Sequence, residues 1–376
     1  MDSRELFKRI LYRIKGRVIS LYPQGTPKGN VLFSYITLPF LRKENPMDGH
    51  TNLWEAREMA VAFVERGYAV DIIDLTNTSF VPTKEYTYFI DIGTNMERLT
   101  PLLNKDCRKI LHITGAHWQA NNEAEEVRLA RIEQARGVRL APDRPIAPNR
   151  AIETADMATT VAGEYAVGTF AYAGKTIHCL PLSTTHKFDK LPEKDFAAVS
   201  KNFIWFGGAG LVHKGLDLTL EAFASLPDHS LRVYGKIDGE KEFIQAYHKE
   251  LYETPNIKTV GWISPGSEEF EAACASSVGI VLPSCAEGCA GSVVQAMHTG
   301  LIPVVTYETG VPVHDFGVLI EDGTQAAVKE AVLKVSSTAP EKLREMSEKA
   351  VRYAKTHHTR GHFSGAYRQF LDTIGA

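Results

Sequence analysis

The feature that most constrains this chain is a repeated alternation of short β-branched apolar runs with longer stretches of helical spacing. Twelve runs read as strands: Val31–Ile36, Val70–Leu75, Tyr88–Ile92, Lys109–Ile113, Met157–Val161, Ile177–Leu180, Phe203–Phe206, Leu231–Tyr234, Ile257–Val260, Val278–Leu282, Ile302–Thr306 and Gly317–Ile320. Between them, Leu53–Glu65, Glu123–Arg136, Leu216–Ser225, Glu240–Tyr252, Glu268–Ala275 and Gln325–Val335 place apolar residues on one helical face. Runs that are apolar throughout, without in/out alternation, suit strands covered by helices on both sides. The pattern predicts an α/β fold with parallel sheets.

Six runs precede residue 185 and six follow residue 200. The intervening 183–200 stretch is polar, of mixed charge, and contains Pro192. It reads as a linker between a first domain over residues 1–182 and a second over 201–356. A chain of 376 residues exceeds what one hydrophobic core usually serves, in keeping with that division. The helical segment Pro340–Ile374 closes the chain, and its end, 357–376, is expected to cross back onto the first domain. Ligands of doubly wound sheets bind beyond the carboxyl ends of the strands, so two facing sheets place the site in a central cleft.

Charge narrows the partners. Lys+Arg number 42 against 45 Asp+Glu, a formal net charge of −3, which argues against a protein that coats nucleic acid. The exception is local: residues 1–22 hold six basic residues against Asp2 and Glu5, leaving a remainder of −7. Leu6, Phe7, Ile10, Leu11, Ile14 and Val18 form one helical stripe there. Two readings stand: a helix capping the first domain, or an interfacial helix on anionic lipid. No run approaches the roughly 18 apolar residues of a membrane span, and no signal-peptide pattern opens the chain. A cytoplasmic protein is expected, with peripheral contact at the inner membrane face as the variant reading. Five cysteines without a Cys-x-x-Cys pair read as reduced thiols, and Cys285 and Cys289 as small packing residues. No histidine shows metal-ligand spacing, and Asp71 and Asp74 do not form an Asp-x-Asp pair, so no metal is expected. His112 reads as a core histidine, and His357-His358 as solvated.

Two segments carry chemistry. Phe203-Ile-Trp-Phe-Gly-Gly-Ala-Gly-Leu-Val-His-Lys-Gly-Leu-Asp runs from a strand through a glycine-rich loop into a helix at Leu216. Gly207 and Gly208 let the backbone approach a ligand, N–H groups beside a helix start favour anions, and Lys214 supplies a mobile positive charge suited to a phosphate. The plainer reading is a tight turn with a solvated lysine. The order Gly-Lys-Ser/Thr of a P-loop is absent. The second segment, Val281 to Val305, runs from a strand through a loop carrying Glu287 into a helix beginning near Gly291 or Ser292 and ending at Gly300. Glu287 thus lies at a strand's carboxyl end, and Gln295 about two helical turns further on. The amides of Gly288, Cys289, Ala290 and Gly291 are placed to converge on a polyhydroxylated ligand, with the helix start facing a diphosphate.

Glu287-Gly288, Ala296-Met297-His298-Thr299-Gly300 and Pro303-Val304-Val305, with Lys214-Gly215 upstream, together resemble the GT-B glycosyltransferases, specifically the retaining family 4 (glycosyltransferase group 1). The likeness extends more weakly to Glu58–Val70, and to Ala155-Asp156…Glu164-Tyr165. It implies two Rossmann-like, doubly wound parallel-sheet domains facing a cleft, the first holding the acceptor and the second a nucleotide-sugar donor. The implied roles are Glu287 for donor-sugar hydroxyls, Lys214 for the diphosphate, and Ser292 and Val293 for further phosphate contacts. Gln295 would hold the ribose, and the backbone around Gly235–Lys236 and Gly261–Trp262 would border the base. His117 would sit on the catalytic side of the first domain, and Gly49 and His50 on its acceptor loop. The implied reaction is metal-independent, retaining transfer of a hexose to a glycan or lipid-linked hydroxyl, with no cofactor beyond the nucleotide sugar, in cell-envelope polysaccharide synthesis. Two positions depart from the family pattern: Ala209 stands where relatives have an arginine, with His213 as a candidate replacement, and Gln295 stands for a glutamate. They keep open a catalytically silent scaffold that binds a glycan or partner enzyme; a GT-B sugar-nucleotide epimerase is the third alternative.

Overall fold

A computed structural model describes residues 16–41, 49–188 and 191–376. The first sheet is built from β1 (Ile19–Leu21), β2 (Gly29–Tyr35), β3 (Tyr68–Asp74), β4 (Tyr88–Asp91), β5 (Arg108–Ile113), β6 (Met157–Thr160) and β7 (Ile177–Cys179). The second contains β8 (Asn202–Gly207), β9 (Ser230–Gly235), β10 (Ile257–Thr259), β11 (Gly279–Leu282), β12 (Ile302–Thr306) and β13 (Val318–Ile320). Their orders are β1-β3-β2-β4-β5-β6-β7 and β10-β9-β8-β11-β12-β13. All pairings are parallel except β1 with β3. The fully apolar runs become central strands: β4, β11 and β12 are buried at every residue. Each of the twelve expected runs contributes a strand. The antiparallel edge strand β1 is the addition, three residues long and too short to show a period.

The helices used below are α1 (Thr51–Glu65), α2 (Trp118–Arg136), α3 (Leu216–Ala224), α4 (Gly291–Met297), α5 (Pro340–His357) and α6 (Arg360–Thr373). Three expectations are corrected. The 240–252 stretch is two short helices, Lys241–Ala246 and His248–Tyr252, interrupted at Tyr247, whose ring is buried against Phe243 and Arg136. The 183–200 stretch, expected to be only a linker, ends in a short helix at Phe196–Val199 capped by Asp195. His358 is buried rather than solvated, its Nδ1 3.1 Å from Leu182 O.

After the second sheet the chain returns to the first. α6 lies on α1, where Arg66 pairs with Asp372 at 2.7 Å and Arg368 bridges Glu58 and Glu65. Tyr88 Oη and Arg108 Nη1 both donate to Ile374 O. His112 is a core histidine as expected, fully buried and 2.9 Å from Thr159 Oγ1. The membrane-helix reading falls mostly on residues 1–15, outside the described residues. Val18 belongs to no helix and leads directly into β1.

Candidate active site

The carboxyl ends of β8 and β11 bring the two motifs together. At β8, a Cβ on Gly207 would lie 2.5 Å from the Trp205 indole, and one on Gly235 2.7 Å from it. These glycines therefore let a large buried ring fill the space under the strand ends. The following turn winds into α3 through Gly215, held at φ 68° with its missing Cβ only 2.3 Å from Pro283 O. Any side chain there meets both a conformational and a steric penalty. This tight contact between turn and loop aims Lys214 at the segment after β11.

That segment is held by backbone bonds: Cys285 N donates to His213 O at 2.8 Å, and Glu287 N to Glu308 O at 2.9 Å. His213 is wholly buried, its Nε2 bonded to Ala286 O, and burial pushes its pKa down to about 4. It braces the loop as a neutral ring, so it does not replace a missing cation. Lys214 Nζ bonds Glu287 Oε1 directly, and Arg144 Nη1 reaches the same oxygen at 3.0 Å. Burial alone would raise the Glu287 pKa, but Lys214 and Arg144 hold it down to about 2. Burial lowers the Lys214 pKa while Glu287 opposes that shift. Among the described residues, Glu287 Oε2 accepts no hydrogen bond, and Arg144 Nε and Nη2 have no acceptor.

The loop amides divide. Among the described residues those of Gly288, Cys289, Gly291 and Ser292 have no acceptor. Ala290 N is bonded to Thr309 O, and Val293 N to Ala290 O, with the Val293 side chain in the core. These two are not free to meet a ligand. Gln295 is likewise engaged: its Oε1 accepts from Thr184 Oγ1 and Thr185 Oγ1, both at 2.8 Å, and its Nε2 donates to His186 O. This buried amide fastens the 184–186 segment to α4, because three donors converge on its carbonyl where a ribose would have to compete.

From the first half, Gly163 N donates to Gly288 O at 2.8 Å. The two backbones can touch because a Cβ on Gly288 would lie 2.2 Å from Thr114 O, and one on Gly163 2.3 Å from Gly310 O. His50, following Gly49, caps α1 by accepting from Asn52 N. Crowding lowers its pKa first, and Lys214, Arg144 and Glu287 all act on it electrostatically. His117 goes elsewhere. Its ring packs against Trp118, Phe170 and Tyr172, Nε2 lies 3.1 Å from Tyr172 Oη, and the carboxylate acting on it is Glu153. The strand-end position is as expected, but the side chain joins an aromatic box rather than the Lys214–Glu287 pair. Trp262 exposes its ring while stacking on Phe206, with Lys236 Nζ 5.1 Å above it. This leaves a flat aromatic surface beyond β8 and β9. Arg144, which meets Glu287, is a residue that motif reading passes over, since it lies in an aperiodic loop far from both motifs.

With this geometry in view, residues 200–338 match the family model described as Glycosyl transferases group 1. The chain is similar in structure to the sucrose-phosphate synthase (tll1590) of Thermosynechococcus elongatus, at TM-score 0.66 and 13% identity, covering 93% of this chain and 99% of that one. It is similar also to Anabaena Alr3699/HepE in complex with UDP, at TM-score 0.60 and 11% identity over 92% and 99%. The same HepE protein has been seen with UDP-glucose. A Rickettsia africae glycosyltransferase aligns at TM-score 0.57 and 9% identity over 92% and 97%. The fold is GT-B. No curated protein matches the sequence. In this GT-B frame, the Lys214–Glu287 pair belongs to the matched region, and Arg144, His50 and Gly163 approach it from the other half. Among the described residues, no group of three or more His, Cys, Asp or Glu side chains is arranged to hold a metal ion. No helix among them is long and apolar enough to cross a membrane.

Proposed function

We propose that this GT-B protein is a retaining glycosyltransferase that moves a hexose from a nucleoside-diphosphate donor to an acceptor hydroxyl. The observation that carries this reading is the meeting of Lys214 and Glu287, 73 residues apart in sequence, at the carboxyl ends of two parallel strands. A mostly buried ammonium here offsets the charge that grows on a departing diphosphate, and exclusion of water would strengthen that effect. Glu287 Oε2, free of protein partners among the described residues, accepts a donor-sugar hydroxyl. The Gly288, Cys289, Gly291 and Ser292 amides add donors around the sugar and phosphates, and Trp262 with Lys236 offers a face for the base. His50 and Gly49 border the acceptor. The departing phosphate takes the acceptor proton, so no paired carboxylates are required, and the nucleotide sugar is the only small molecule needed. The HepE complexes with UDP and UDP-glucose support a nucleotide hexose as donor. A glycan or lipid-linked acceptor in envelope polysaccharide synthesis, on the cytoplasmic side, completes the proposal.

Calorimetric titration with UDP-, GDP-, ADP- and dTDP-hexoses tests the donor assignment, and the anomeric configuration of the product tests retention. One nucleotide series should bind, and an α-linked donor should yield an α-linked product. A β-linked product from an α-linked donor would refute retention. Binding to no nucleotide sugar would refute the donor site and leave a glycan-binding scaffold.

A further inference from the structure

Arg144 lies in residues 138–150, a loop with Pro142, Pro145 and Pro148 and no helix or strand of its own. One face of α2 holds this loop. Trp118, Asn121, Asn122 and Glu125 are spaced three, four and seven residues from the first, so they share a side of the helix. Trp118 Nε1 donates to Asn149 O at 3.0 Å, and Asn121 Nδ2 to Arg144 O at 2.9 Å. Asn122 donates to Ile146 O and accepts from Ile146 N, at 2.8 and 2.9 Å. Glu125, almost fully buried, accepts from the backbone of Asp143 and Arg144. Pro145 biases Arg144 towards extended backbone. Four polar side chains thus fix the loop's main chain and leave the Arg144 side chain free to reach across the cleft.

That side chain runs over the glycine-rich turn. A Cβ on Gly210, which is at φ 86°, would lie 2.5 Å from Arg144 Cδ. It ends on Glu287 Oε1 with one nitrogen, while its side chain stays 40% exposed. Two cations therefore share one carboxylate oxygen, and the remaining N–H groups of the guanidinium have no acceptor among the described residues. The neighbouring carboxylates do not complete this pairing. Glu125 is bonded to the loop backbone, and Glu240 to the Gly210 and Leu211 amides. Asp143 is an adjacent exposed carboxylate with no ion pair among the described residues.

We infer that Arg144 is a phosphate-binding residue of the donor site, contributed by the first half of the molecule and bridging Glu287 to the donor's diphosphate. A guanidinium suits this role because its planar fork can serve a carboxylate and a phosphate at once. The inference rests on the nucleotide-sugar reading above. It also accounts for how the site obtains a second cation although position 209 is alanine: the cation comes from a loop across the cleft.

The test compares wild type, Arg144→Gln and Arg144→Lys in titrations with UDP, GDP, ADP and dTDP, and with the nucleoside matching whichever of these binds. Only the side chain changes, and its loop is held through the backbone, so the thermal midpoint should not move. Arg144→Gln should weaken diphosphate binding about tenfold or more. It should leave nucleoside binding unchanged and make the diphosphate affinity less sensitive to salt. Arg144→Lys should fall between. Unchanged diphosphate affinity in Arg144→Gln would overturn the inference and leave Arg144 a contact between the halves. Equal weakening of diphosphate and nucleoside would overturn it too, since a general loosening of the site does that. Wild type that binds none of the four diphosphates would remove the donor reading itself, before any variant is compared.

Discussion

Two ion-paired networks join the halves of this molecule, and they differ in charge balance. Between α2 and α3, Arg131 pairs with Asp217 at 2.6 Å and with Glu221 at 2.9 Å, while Arg136 pairs with Glu221 and Glu250 and Arg128 approaches Asp217 at 3.9 Å. Three arginines face three carboxylates. At the cleft, Lys214 and Arg144 pair with Glu287 alone among the described residues. On the proposed reading the two sets serve different ends. A balanced set holds two surfaces together, whereas a set with an unmatched cation is ready for an anion. Burial by itself does not separate structural from functional charge; the accounting of partners does.

The largest test of that contrast is Lys214→Ala, expected to lower the transfer rate by roughly 100- to 1,000-fold, as loss of one preorganised charge at a leaving group does. Steady-state kinetics with the donor identified by titration measures it, and a near-normal rate would mean that the unmatched charge serves no chemistry. Asp217→Ala should do the converse. It takes away the only carboxylate near buried Arg128 among the described residues, leaves Arg131 with Glu221 alone, and should cost about 3 kcal/mol in urea unfolding, with the nucleotide dissociation constant unchanged. A shift in affinity without a loss of stability would reverse the two assignments.

A further carboxylate at the junction has no cation partner among the described residues. Glu55 on α1 is buried and accepts from Ser183 N at 2.8 Å, and burial raises its pKa to about 7. A raised carboxyl is at ease when protonated, so its cost is absent below the ordinary value near 4.5 and grows as pH rises through 7. Glu55→Gln keeps the accepting oxygen and should stabilise the protein by about 2–3 kcal/mol at pH 8 and not at pH 4. A pH-independent gain would show that its charge is not what costs. The smallest expected effect is at a glycine that carries no charge, next to Arg136. Gly137, which ends α2 at φ 70°, has open space around its missing Cβ. Gly137→Ala should therefore cost only about 1 kcal/mol of conformational strain. Gly310→Ala should cost clearly more in the same denaturant series, because its Cβ would sit 2.0 Å from Gly288 O.

Much of this was legible in the sequence, for reasons that differ by region. Apolar runs without alternation identify the twelve parallel strands, because only strands covered on both faces need them. Lys214 and Glu287 could be singled out because each lies just beyond such a run, and strand ends converge in this kind of sheet. His117 obeys the same rule of position, yet its side chain turns to Tyr172 and Phe170, and nothing in residues 111–118 encodes that turn. Gln295 reads as a ligand-facing position but is enclosed by Thr184, Thr185 and His186, more than a hundred residues away. Arg144 is the instructive omission. Its loop has no period, and its direction is set by polar side chains on α2 whose targets are main-chain atoms.

The sequence alone determined the layers of this protein, the strands within them and the two motif residues that meet at the strand ends, because periodicity and strand-end position are local properties. Tertiary structure decided which side chains enter the cleft. It turned His117 away, closed Gln295 in, made His213 a neutral brace and brought Arg144 across to Glu287. Those outcomes depend on hydrogen bonds and charges between segments far apart in the chain, and such pairings leave no pattern in either segment by itself.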